Sequence, residues 1–299
     1  MNFGVWLPNC RHLATPDVIR STAVRAEQLG YDSVWVSDHV VVPNANIVNF
    51  GETIFDPLVT LAVVAGATSR VRLGTTVLIV PYRHAVVTAK MIASLDALSG
   101  GRVVFGVGAG WVAAESAMLG VPFKERGAMT DEYLQAMQVL WSSREPKFSG
   151  KYTQFSELVF EPKPVQKPHP PIWVGGHSTA ALRRAVRFGA AWHPINRPPE
   201  ELRAGRAELA RLCQGSGRSA PLALTLRNDV RVLRAGENSP KSAHAGRVLA
   251  GEPAALVDQI GELAECGVEH LVLEFLSADG RDLDAQIAAF AERVRPRLG

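Results

Sequence analysis

The feature that most constrains this chain is a beat: a short apolar run followed by a helical stretch, repeated eight times. Strands read at residues 2–7, 33–36, 71–80, 102–106, 172–174, 190–193, 222–233 and 268–275. Helices read at 16–29, 56–68, 86–98, 129–141, from Ser178 or Thr179 onward, 199–212, 253–266 and 283–294. The strands are near-continuous apolar runs, as a parallel sheet covered by helices requires. The count predicts an α/β fold, a (β/α)8 TIM barrel, as a single domain over residues 1–299. An insertion is expected at roughly 113–170, with a small hairpin formed by 148–155 and 158–160. A doubly wound open sheet is the alternative, but no GxGxxG opens the first strand-to-helix turn.

The chain has 299 residues, 47% hydrophobic and 20% charged, enough to bury a large core. Its formal charge of +3 comes from Lys and Arg scattered among acids, so nucleic acid and membrane surfaces are not expected partners. Cys10, Cys213 and Cys266 lie far apart with no CxxC pair, which argues against a disulfide framework or a zinc site. With no signal peptide and no bilayer-length apolar run, a cytoplasmic protein is expected.

In such a barrel, chemistry sits at the carboxyl ends of the strands. Those ends carry Asn9 and Cys10, Asp38 and His39, Thr75 and Thr76 with Tyr82-Arg83-His84, Gly106 to Trp111, Gly175 to Ser178, His193 and Asn196, and Glu274. Acids are few (Asp38, Glu274 and, further along, Glu115), so a paired-carboxylate hydrolase is poorly supported. The histidines are dispersed, and no metal is expected. No serine elbow is present.

Two glycine groups stand out. Gly175 and Gly176 precede a helix capped by Ser178 or Thr179, where bare backbone and unpaired amides can seat a phosphate. An ordinary strand-to-helix turn is the rival reading. Gly106, Gly108 and Gly110 alternate, leaving one edge bare for a flat ring, or else allowing close packing. Read together, they point to a phosphorylated, ring-bearing cofactor. Trp6, Trp111 and Trp192 suggest an apolar substrate pocket, although tryptophans also serve as core.

Four segments carry a family likeness: Gly30-Tyr-Asp-Ser-Val-Trp-Val-Ser-Asp-His39; Arg72-Leu-Gly-Thr-Thr-Val77 with Tyr82-Arg-His84; Leu95-Asp-Ala-Leu-Ser-Gly-Gly-Arg102 through Gly106-Val-Gly-Ala-Gly-Trp111; and Trp173-Val-Gly-Gly-His-Ser178. In this order the chain resembles the bacterial-luciferase-like oxidoreductases, in particular the branch using the deazaflavin coenzyme F420. The resemblance implies that Asp38 hydrogen-bonds the polar edge of the ring and that His39 is catalytic, orienting substrate or moving a proton. It implies a cis peptide between Thr76 and Val77, next to Thr75, as the bulge behind the ring. Ala109 and Gly110 would pass under the ring, and Gly175, Gly176, His177 and Ser178 would hold the phosphate. The family's sugar-phosphate dehydrogenase has a Glu where this chain has Trp111, which implies a different substrate. His39 also has a plainer reading as a turn cap.

The function these readings imply is hydride transfer between F420 and a small organic substrate. An FMN-dependent luciferase-like monooxygenase, fed by a separate reductase, is the alternative. A non-catalytic flavin carrier and a cofactor-free phosphosugar isomerase are further rivals; for the isomerase, Glu274 alone qualifies as the base. Relatives in the family imply a homodimer.

Overall fold

A computed structural model describes residues 1–218, 221–234, 236–240 and 247–298. Eight parallel strands close into a barrel: β1 (Asn2–Trp6), β2 (Ser33–Val36), β3 (Arg72–Thr75), β4 (Val103–Gly108), β5 (Ile172–Gly175), β6 (Ala191–His193), β7 (Ala223–Val232) and β8 (Val268–Phe275). Each pairs with the next, β6 pairs with β7, and β8 returns to β1 through Asn2 and His270. Eight major helices surround the strands: α1 (Pro16–Gln28), α2 (Pro57–Ala67), α3 (Ala85–Leu98), α4 (Arg126–Ser142), α5 (Thr179–Phe188), α6 (Pro199–Ser216), α7 (Pro253–Glu265) and α8 (Gly280–Ala289). This is the (β/α)8 architecture that the alternating pattern implies.

Local chemistry starts several of these helices. Thr15 caps α1 by accepting from the Val18 amide, and Asp56 caps α2 by accepting from Leu58 and Val59. Pro16 and Pro57 fill the first helical position, where a missing N–H costs nothing.

Two expected elements differ. The strand read at 71–80 breaks after Thr75; the chain bulges through the cis Thr76–Val77 peptide that the family resemblance implies and resumes at Leu78–Ile79, which pairs with Val107 and Gly108 of β4. An apolar run cannot reveal such a break, because both halves remain buried and hydrophobic. In the insertion the hairpin is shorter than expected, pairing Phe148–Ser149 with Gln154–Phe155, and residues 158–160 form no strand.

Side chains alternate along each strand between the barrel interior and the helix layer. The interior holds an aromatic stack: Trp35 lies on Trp173 at 4.7 Å between ring centroids, with His193 and His270 against them. Glycine makes the room. A Cβ on Gly4 would lie 2.5 Å from Trp35 Nε1, and one on Gly74 would strike the Trp35 six-membered ring. The buried polar atoms find partners inside the stack. His193 bonds Thr76 Oγ1 and Thr225 Oγ1, while Ser33 Oγ serves both His270 and the Trp35 indole N–H.

Burial, helped by neighbouring positive charge, pushes both His193 and His270 from the usual 6.5 down to about 3. An unfolded chain takes up protons on these rings below about pH 6.5, whereas the folded chain does not until about pH 3. Their contribution is therefore complete above pH 6.5 and is lost as pH falls through that window. Each ring adds up to about 1.4 kcal/mol per pH unit to the slope. Urea unfolding of His270→Asn between about pH 4 and pH 6 should show a slope shallower by up to that amount. Equal slopes would mean that His270 is not buried in its neutral form.

Candidate active site

The bulge at Thr76–Val77 is the centre of the carboxyl-end face, and the strands beside it are shaped to receive it. A Cβ on Gly106 would collide with the Thr75 carbonyl, and one on Gly108 would lie 2.7 Å from Val77 Cγ2. A Cβ on Gly110 would lie 2.8 Å from Ile79 Cγ2, and one on Gly175 would lie 2.9 Å from Val77 Cγ1. The space beside the alternating glycines at the end of β4 is therefore filled by the bulge itself, which corrects the expectation of an edge left bare for a ring. Gly175, expected in the phosphate seat, is buried and also serves the bulge. Thr75 donates its hydroxyl to the Gly106 carbonyl at 2.6 Å, so it ties β3 to β4.

Arg227, on β7, reaches across the barrel to the bulge. Its Nη1 donates to the Thr76 carbonyl at 3.1 Å and to Ser37 Oγ at 2.9 Å, and its guanidinium covers the Trp6 ring. Nη2 and Nε engage Glu274, whose other oxygen takes Arg11 Nη1 at 2.5 Å. Glu274, the isomerase's required base, is thus held between two guanidiniums. Trp6, Cys10, Arg11 and Glu274 also line a cavity of about 150 Å3 beside this network. Burial pushes the Cys10 thiol up to about 11, so it is no ready nucleophile.

Asp38 and His39 are adjacent in sequence but serve different layers. Ser33, Trp35 and Ser37 occupy the inward phase of β2 and its extension, so Asp38 falls on the outward phase with Val34 and Val36. There Arg83 grips it with two bonds of 2.7 and 2.9 Å, and the Ile79 amide donates to it at 2.8 Å. Its side chain is fully buried. Asp38, which the resemblance puts at the ring edge, here fixes the chain leaving the bulge. Parity also moves Trp192. Ala191 and His193 face inward, whereas Trp192 packs outward beneath Gly205 of α6 and donates its indole N–H to the Gly176 carbonyl at 2.7 Å. It braces the turn before α5.

His39 is held from both sides. Its Nδ1 lies 2.6 Å from Glu115 Oε2, and the Phe50 ring covers it at 3.8 Å between centroids. Glu115 Oε1 accepts from the Val40 and Val41 amides. Burial works against ionisation of this carboxyl, but the His39 bond and the two amides outweigh it and hold the carboxyl below its ordinary range. A carboxylate only accepts, so Nδ1 carries the proton and Nε2 is the imidazole's reactive nitrogen. Glu115 sits on a short helix, Ala113–Met118, with no motif to mark it as the partner of His39. Phe50 sits on a one-turn helix, Ile47–Phe50, inside what reads as an irregular Pro- and Asn-rich loop. Neither role carried a sequence signal. Trp111 is largely exposed on the far side of Phe50, 5.8 Å away.

Gly176 to Ala180 form an exposed turn into α5, with Gly176 at φ +95 and Ser178 capping the helix through the Ala181 amide. The first backbone bond of α5 runs from Leu182 to Ser178, which leaves the Thr179 and Ala180 amides without an acceptor among the described residues. Ala109 and Gly110 are half-buried at the end of β4. Among the described residues, no group of three or more His, Cys, Asp or Glu could hold a metal, and no helix is long and apolar enough to cross a membrane.

The profile of the luciferase-like monooxygenase family matches residues 1–234, and the chain belongs to that family of oxidoreductases. An F420-dependent glucose-6-phosphate dehydrogenase from Amycolatopsis mediterranei is 29% identical over 92% of both chains. An uncharacterized protein from Mycobacterium tuberculosis is 37% identical over 60% of this chain, and the match spans 66% of that protein's length. Three solved structures share the fold across the whole chain. A monooxygenase from Streptomyces bottropensis superposes with a TM-score of 0.86 at 19% identity, covering 100% of both chains. An F420-dependent secondary alcohol dehydrogenase with an F420-acetone adduct gives 0.81 at 20%, covering 99% of that chain. The FMN-bound oxygenating constituent of 3,6-diketocamphane monooxygenase from Pseudomonas putida gives 0.81 at 18%, also covering 99% of its chain.

Removing the buried Asp38 carboxylate leaves Arg83 with only the partly exposed Asp56 and strips the buried Ile79 amide of its acceptor. Asp38→Ala should cost about 3–5 kcal/mol of stability in urea unfolding. A loss under about 1 kcal/mol, the size of a surface pair, would show that this ion pair does not hold the turn.

Proposed function

We propose that this chain is an F420-dependent oxidoreductase that transfers a hydride between the deazaflavin and a small organic substrate. The observation that carries the reading is His39, oriented through Nδ1 by an ionised Glu115, just past the end of β2, whose Val36 carbonyl accepts from the Thr76 amide of the bulge. Interconverting a carbonyl and an alcohol needs a hydride and a proton, and an imidazole with one nitrogen fixed is suited to handling the proton.

The residues fit a phosphate-tailed ring. Exposed amides at the start of a ten-residue helix, next to a glycine at φ +95, favour an anion. Val77, packed over Gly108 and Gly175, offers an apolar surface for the ring to lie against. Gly176, His177, Ser178 and the first α5 amides would hold the phosphate, with Ala109 and Gly110 beneath the ring or its side chain. When bound, the deazaflavin supplies or accepts the hydride. His39 Nε2 gives the proton to the substrate oxygen in reduction and takes it back in oxidation. Glu115 keeps the ring in one tautomer and steadies its positive charge. Arg227 and the four glycines keep the bulge in place.

The alignment with the Amycolatopsis dehydrogenase over 92% of both chains favours F420. The family description and the diketocamphane enzyme keep FMN as the second reading, with a separate reductase and oxygen. Fluorescence titration of the purified protein with each cofactor separates them: F420 should bind, and Gly176→Glu should abolish that binding. His39→Ala should leave binding unchanged and lower turnover by about 10²–10⁴-fold. Binding of FMN alone, or full turnover by His39→Ala, rejects the proposal.

The homodimer is proposed on the same likeness. Val59 and Val63 on α2 and Val87 on α3 stand more than half exposed on adjacent helices, an apolar face that a second copy can cover. Sedimentation velocity should show Val59→Asp/Val63→Asp as a monomer and the parent chain as a dimer. A monomeric parent chain refutes this.

A further inference from the structure

His39 is the proposed proton-handling group, yet it is only 7% exposed. What covers it is Phe50, whose ring lies 3.8 Å from the imidazole centroid and is itself buried. That position is enforced rather than incidental. Arg11 pins the one-turn helix that carries Phe50, donating from Nε to the Asn49 carbonyl at 2.9 Å and from its own amide to the Phe50 carbonyl at 3.0 Å. Arg11 is anchored in turn to Glu274. The helix stops at Gly51, at φ +71, where a Cβ would lie 2.6 Å from the Arg11 Cα, so only glycine lets the turn lie this close to Arg11. Beyond Phe50 stands the exposed Trp111, and the chain around His39 continues as Val40 and Val41, both partly exposed.

We propose that Phe50 is the specificity-determining residue of this site. It forms a wall over His39 that admits small, uncharged carbonyl or alcohol compounds and turns away bulky and anionic ones. The inference rests on the hydride-transfer reading above. The size limit comes from the contact: a substrate oxygen that reaches Nε2 must share the space with a ring already touching the imidazole. The charge limit comes from the surroundings. An anionic group there would lose water against aromatic and aliphatic side chains and would face the ionised Glu115 behind the imidazole.

Two measurements test this. In the first, the cofactor-free protein is treated with diethyl pyrocarbonate, and carbethoxylation of His39 is followed by peptide mass spectrometry against the exposed His12. Phe50→Ala should raise the His39-to-His12 ratio several-fold, the milder Phe50→Leu should raise it less, and Phe50→Tyr should leave it unchanged. An unchanged ratio in both Phe50→Ala and Phe50→Leu overturns the covering role. In the second, oxidation of reduced F420 is measured with acetone, cyclohexanone and pyruvate. Phe50→Ala should shift kcat/KM toward cyclohexanone over acetone by about tenfold or more, with pyruvate poor throughout. An unshifted preference, or efficient use of pyruvate by the parent chain, overturns the specificity role. A parent chain that oxidises no reduced F420 with any of the three sinks the hydride-transfer reading and the size limit together. The carbethoxylation ratio would still decide whether Phe50 covers His39.

Discussion

The backbone excursion at Thr76–Val77 needs volume at the barrel mouth, and glycine on the two neighbouring strands provides it. Thr75, Val77 and Ile79 occupy the positions where side chains on Gly106, Gly108, Gly110 and Gly175 would otherwise stand. The polar groups released by the break in β3 are then recovered from several directions. Arg227 donates to the Thr76 carbonyl, His193 pairs with the Thr76 hydroxyl, and Asp38 accepts from the Ile79 amide. A buried peptide group left without such partners is costly, so these contacts hold one conformation of the mouth.

Two ionic assemblies stand behind that surface, one on each side. Arg83 joins Asp38 to Asp56, which also caps α2, so the end of β2, the turn after the bulge and the start of a helix share one guanidinium. Glu274 joins Arg11 to Arg227, linking the loop that carries Phe50 to the bulge carbonyl. Both put the charge where it fixes geometry. That leaves His39, oriented by Glu115, as the group suited to moving a proton, and the exposed turn at Gly176 as the place suited to an anion.

Much of the fold was legible because the strand and helix periods are intrinsic to the backbone. Runs such as Val268–Phe275 and capped starts such as Thr15-Pro16 declare themselves locally. The candidate site was legible in part. The residues just past each strand end include His39, the bulge and the α5 turn, since a parallel barrel puts all its strand ends on one face. The family resemblance put Asp38 at the ring edge, and the tryptophan reading put Trp192 in an apolar pocket; in the structure both side chains face away from the barrel interior. Adjacent residues on a strand face opposite ways, and the phase depends on register, which a residue's place at a strand end does not reveal. Glu115 and Phe50 lie on short irregular segments whose approach to His39 depends on how the chain packs rather than on the residues beside it in sequence.

The amino-acid order therefore determined the number and kind of elements, the face on which chemistry sits, and the family to which the chain belongs. These arise from periodicity, capping and motifs that act over a few residues. Only the tertiary structure decided which way each strand-end side chain points, that the space beside the glycines at the end of β4 is filled by a bulge rather than left open, and that an aromatic ring covers His39. Those outcomes depend on strand register and on contacts between distant segments, which no local pattern records.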